Sequence, residues 1–252
     1  NGGQCWTISV ECADVDMHSG AFGAGLREGM PDLLFLLNSL QDPKTGKILI
    51  ENFYDEVEEI GPEELEMFKN VDIDHKEMAK SMGFNLIGNI HTGQKMKDIG
   101  PDKEAQKLQA VSNFWALPSL SIHGIEGAYA GPGQKSVIPC KTIGKFSIRS
   151  VPKMTKENLI KVVSDHLDKK IKELNSENKI SYEIQFHLDW FKADPTCYLF
   201  DVAKRATQKV FGLDADISRI GGGIPFVKDI EKAVGKDKVI FLPMGGIDSN
   251  IH

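Results

Sequence analysis

The chain has 252 residues, 26% of them charged and 41% hydrophobic, with 24 glycines and 11 prolines, proportions that exclude a disordered, collagenous or low-complexity polymer. A formal charge of −6, with no cluster of Lys and Arg on one face, argues against a duplex nucleic-acid partner. The longest apolar runs, Leu33 to Leu37 and Val239 to Met244, fall far below the roughly 20 residues of a membrane span, so a small-molecule or peptide ligand is expected instead.

Gln4 to Cys12 is rich in β-formers and partly alternating, which predicts a strand. Leu26 to Leu40 then carries Met30, Leu33, Leu34, Leu37 and Leu40 at helical spacing. Gln41 to Ala116 follows as a long insertion. Its acidic helical pieces, Glu63 to Phe68 and Asp74 to Met82, and the polar stretch Thr92 to Gln109 predict an exposed decoration or mobile loop. Leu117 to Ile122 and Val137 to Ser150 predict two paired strands, with a turn at Gly131-Pro132-Gly133. Thr155 is a good N-cap for a helix bearing Leu159, Val162, Val163, Leu167 and Ile171. Lys179 to His187 resumes strand character.

In order these elements read β-α-β-β-α-β, the ferredoxin-like arrangement of an α/β protein. From Asp194 the rhythm changes: a helix to about Val210, glycines at 221–223, a helix to Ala233 and a strand over Lys238 to Leu242. A domain boundary near residue 190 follows, giving domains of 1–190 and 191–252. The second is too short to close a core by itself and is expected to need a partner segment. The opening at Asn1, one step before a strand, and the stop at His252 in a loop lead us to expect a portion of a longer protein.

Several residues can carry chemistry. Asp14 to Gly20, with His18, joins a strand to a helix, where it is either a capping turn or a ligand-facing loop. His123 and Glu126 end a strand and equally suit a solvated face. Arg149 has the planar fork that grips a carboxylate, though a surface ion pair is the commoner use of a lone Arg. Arg219 to Pro225 is a glycine turn entering a helix, a geometry that binds anions, without either nucleotide-binding glycine spacing. His252 follows a strand end, where α/β enzymes place ligand-binding residues, and an imidazole there suits zinc or manganese. Cys5, Cys12, Cys140 and Cys197 show no CxxC pairing.

The segments CADVDMHSGAFG (12–23), LPSLSIHGIEGAYAGPGQKSVIP (117–139), KFSIRSVPKMT (145–155), VFGLDADISRIGGGIP (210–225) and FLPMGGIDSNIH (241–252) together resemble the M20 family of metallopeptidases, in particular its carnosinase-like cytosolic non-specific dipeptidases. The resemblance implies a lid and dimerisation domain up to about residue 187, then the returning part of a catalytic domain. It implies a homodimer, a small peptide substrate, a cytoplasmic setting with secretion left open, and two divalent ions, zinc or manganese, that activate a water. By the same resemblance His252 is a metal ligand. His18 is a catalytic residue that stabilises the oxyanion in the neighbouring subunit, and Ser136, Arg149, His187, Gly222 and Gly223 bind substrate. Arg149 would clamp the terminal carboxylate. The general base and the remaining metal ligands would precede residue 1, so the 252 residues alone are expected to be inactive.

The sequence departs from the family pattern at Ile220 and Gly223, where Glu and Ser are usual, in the run 246–251 before His252, and mildly at Ser136, where Thr is usual. A non-catalytic dimerising or ligand-binding module is the competing reading. A third is an M20 aminoacylase or deacylase, from which the run HGIEGA at 123–128 points away.

Overall fold

The computed structural model describes residues 1–83, 102–219 and 223–243. Strand β1 (Gly3–Glu11) is central. It alternates because Gln4, Trp6, Ile8 and Val10 turn to one side and are all buried, while Cys5, Thr7 and Ser9 turn to the other. After it come the two-residue strand β2 (Met17–His18) and the short turn α1 (Ser19–Phe22). Helix α2 (Gly29–Asn38) then crosses the sheet.

The buried stripe of this region is Leu33, Leu36, Leu37 and Leu40, the i, i+3, i+4, i+7 pattern of one helix face. Leu34, expected on that stripe, is 49% exposed, because it projects from the flank while Leu36 takes the inward place. Burying each of these leucines contributes roughly 1.5–3 kcal/mol.

The insertion contains α3 (Pro62–Asn70), α4 (His75–Met82) and α5 (Lys103–Trp115). It is not a bare decoration. Ile48, Ile50, Phe53 and Val57 join the main core, and Phe68, Val71, Leu108, Val111, Trp115 and Ala116 form a second one. Phe68 and Trp115 meet edge to face with centroids 5.5 Å apart. The apolar positions are sparse along α3 and α5, so each helix looks polar alone and only their pairing encloses a core. Part of the stretch 92–109 lies outside the described residues.

Strands β3 (Ser119–Glu126), β4 (Val137–Ile138) and β5 (Lys141–Arg149) follow. Pro139 and Cys140 break the expected single strand in two, since Pro has no N–H for a ladder. Helix α6 (Lys156–Leu174) starts where the Thr155 hydroxyl accepts from Asn158 N–H, and Glu56 of the insertion accepts from the Thr155 N–H at 2.6 Å. Strand β6 (Lys179–Leu188) returns.

The sheet order is β3-β5-β1-β6, antiparallel throughout, and β1, α2, β3, β5, α6 and β6 run β-α-β-β-α-β in chain order. Helices α2 and α6 cover one face. A Cβ at Gly144 would stand 2.9–3.1 Å from Leu33 and Leu37, so β5 has no side chain where α2 lies closest.

The remainder holds α7 (Tyr198–Phe211) and α8 (Val227–Val234). No residue of α7 is buried, and Tyr198, Val210, Phe211 and Leu213 are each more than 60% exposed. Residues 238–242 form no strand, contrary to expectation. A strand requires a neighbour to take its backbone hydrogen bonds, and no strand among the described residues pairs with this segment.

Candidate functional site

The expected site residues fall into two groups at opposite ends of the sheet. At the end of β1 and the start of β5, β2 and β4 pair so that His18 lies opposite Val137, and Ser19 N–H donates to the Ser136 carbonyl at 3.2 Å. Asp16 ties this corner down by accepting from Cys140 N–H at 3.0 Å. That bond holds the Asp16 carboxyl below its usual range, and the same carboxylate pushes the Cys140 thiol up.

His18 itself is exposed. Its Nδ1 accepts from Gly20 N–H at 3.0 Å. A backbone N–H only donates, so the His18 proton resides on Nε2. The capping and ligand-facing readings of His18 are thus compatible: one nitrogen caps α1 and the other is a donor.

The second group sits at the far end of β5. Arg149 lies across the start of β1, where a Cβ on Gly3 would be 3.4 Å from an Arg149 terminal nitrogen. A Cβ on Gly223 would be 3.7 Å from that nitrogen and 2.5 Å from Leu188 Cδ2. The structure therefore brings Arg149 and Gly223 together, and the close approach of Leu188 favours glycine at 223. Gly222 and His252 lie outside the described residues.

His187 is at the same end but on the other side of the sheet. The register between β1 and β6 shifts at Cys5/Trp6, a bulge that leaves Gln185 without an opposite residue and re-aims the last residues of β6. His187 is consequently opposite Gln4 rather than on the face that carries Arg149. Its ring bonds to Gln4 Nε2 at 3.3 Å and to Asp189 Oδ1 at 2.9 Å.

Next to Asp189 is a cleft of ≈ 760 Å³ between α3 and the segment after β6, lined among others by Glu64, Asp189, Phe191, Arg219 and Phe241. Glu64 spans it, accepting from Arg219 at 2.8 Å and Lys192 at 3.1 Å. Arg219 precedes the glycines at 221–223 in sequence, so the insertion holds the chain at Arg219. Sequence reasoning passed over Gln4 and Glu64. A polar residue in the inward phase of an apolar strand was the available signal for Gln4; Glu64 had none, because its partners are remote in sequence.

Strand β5 has nine residues, so its two ends, where the groups sit, are eight rises of about 3.3 Å apart, roughly 26 Å. One copy of the chain cannot close both around a small ligand. Among the described residues no three His, Cys, Asp or Glu side chains converge to hold a metal ion, so these residues do not constitute a metal centre. Among them, too, no helix is long and apolar enough to cross a membrane.

The described architecture is a four-stranded antiparallel sheet covered on one face by two helices. Residues 4–175 match the family described as the M20 peptidase dimerisation domain, and the chain belongs to that family. It is 36% identical over 251 residues to the Cys-Gly metallodipeptidase dug1 of Schizosaccharomyces pombe, covering 99% of this chain and 49% of the relative. It is 39% identical over 253 residues to the human Beta-Ala-His dipeptidase, covering 100% and 46%. The solved structure of the dipeptidase Dug1p from Saccharomyces cerevisiae superposes with a TM-score of 0.80 at 36% identity, over 92% of this chain and 45% of that one. The chain thus spans about half the length of the relatives it matches.

Proposed function

We propose that the chain is the dimerising and substrate-clamping portion of a metal-dependent dipeptidase acting on small peptides as a homodimer. The observation that carries this reading is the division of donors between the two ends of β5, on the frame of a dimerisation domain. With the His18 proton on Nε2, the ring can donate to an oxyanion in the partner's site. Arg149, beside Gly223, can take a terminal carboxylate through two parallel bonds. Edge strand β3, whose Ile122 and Ile125 are each 42% exposed, supports pairing of copies through this domain, 1–190.

The proposal includes two divalent ions, zinc or manganese. Their ligands, His252 apart, and the general base would come from sequence beyond these 252 residues, in keeping with the chain's span of half its relatives. The 252 residues by themselves are then inactive. The test is hydrolysis of Cys-Gly and β-Ala-His by the intact protein, lost with a chelator and regained with zinc or manganese. Absence of turnover with metal restored refutes it. Ile220 and Gly223, which depart from the family pattern, favour a second reading as a non-catalytic module; dimerisation without turnover would select it.

A further inference from the structure

Gln4 has no place in the apolar logic of β1. It occupies the inward phase with Trp6, Ile8 and Val10 and is completely buried. A buried amide persists where both of its ends are satisfied, and here the partners settle which end is which. The Trp6 indole nitrogen can only donate, and it lies 3.0 Å from Gln4 Oε1. The other end of the amide is therefore the nitrogen, itself only a donor, and it faces His187 Nδ1 at 3.3 Å. Nδ1 must accept. The imidazole proton is then on Nε2, which donates to Asp189 Oδ1 at 2.9 Å.

We propose that Gln4 is the positioning residue of His187: pinned by Trp6, its amide holds the ring as the Nε2–H tautomer. The outward nitrogen is then a donor, held by Asp189 in the free chain and suited to a ligand carboxylate or peptide-carbonyl oxygen in its place. Which nitrogen of a histidine carries the proton is set by the bond the other one makes, and here that bond comes from beneath the sheet. The bulge at Gln185 makes the contact, since regular pairing would send His187 to the face away from Gln4. The inference rests on the reading of His187 as a substrate contact, but its test does not.

Long-range proton–nitrogen correlation spectra of the nitrogen-15-labelled chain, recorded above the ordinary histidine pKa, read each ring nitrogen directly. His187 is expected to show a bare Nδ1 and a protonated Nε2; an Nδ1–H form or averaging over both overturns the proposal. Asp189 is 59% exposed, so Asp189→Ala leaves the fold intact and separates the two partners. Retention of the Nε2–H form in that variant is expected, and its loss would make Asp189 the determinant and overturn the role of Gln4. In Gln4→Glu the carboxylate still accepts from Trp6 and now accepts from the ring, so Nδ1 gains a proton; an unchanged pattern also overturns it. If the intact protein hydrolyses no dipeptide while these spectra are as expected, the proposed function fails and the tautomer assignment stands.

Discussion

Two inactive variants of the intact protein should restore activity when mixed, provided one site is assembled from two copies. His18 and Ser136 lie at one end of β5, Arg149 and Gly223 at the other, separated by about 26 Å of strand. A dipeptide is far shorter. His18→Ala removes the proposed oxyanion donor and should lower kcat about 10²-fold, and Arg149→Ala removes the carboxylate clamp. In a twofold dimer of one variant with the other, one site has both defects and its counterpart has neither. Random re-assortment of equal amounts makes half the dimers mixed, each with one intact site, so activity should recover to about a quarter of wild type. The assay is dipeptide hydrolysis after dissociation and reassociation of the mixed variants, with each variant treated alone as the baseline. Recovery no greater than the mean of the two baselines refutes a shared site and places both residues in the service of one chain.

Three further outcomes are expected. Arg149→Lys should raise KM for dipeptides with a free carboxylate more than for their C-terminal amides, because a point charge cannot reproduce the fork; equal effects on both would exclude the clamp. Asp32 is almost wholly buried and accepts from Arg27 Nε at 3.0 Å, Asn178 Nδ2 at 2.8 Å and the Ser176 hydroxyl. Asp32→Ala should destabilise the fold by about 3 kcal/mol, since these bonds to a charged group are lost and Asn178 and Ser176 are stranded. A urea midpoint within error of wild type would contradict this. His166 is buried, and that burial, reinforced by Lys170, lowers its pKa from 6.5. As pH falls below 6.5 the unfolded chain takes up a proton that the folded chain refuses, so stability declines in that window and is full above it. His166→Gln should flatten the decline measured by urea titration, and parallel curves would dismiss the histidine as its source.

Much of the frame is local and so could be read from residue order. The alternation of Trp6, Ile8 and Val10 determines β1, and Thr155 with Leu159, Val162, Val163 and Leu167 determines α6. The resemblance of five short segments to one peptidase family singles out His18, Ser136 and Arg149 as candidates. What required the tertiary structure was every feature made by partners distant in the chain. The insertion acquires a core only when α3 meets α5. Residues 238–242 have strand-like composition but, among the described residues, no strand to pair with. His187 changes sides because of a bulge that exists only between β1 and β6, and Gln4, an oddity in an apolar pattern, gains a role when that bulge delivers an imidazole to its amide. Periodicity and capping depend on neighbours a few residues away, whereas register, pairing and the direction of a hydrogen bond depend on which remote segments come together.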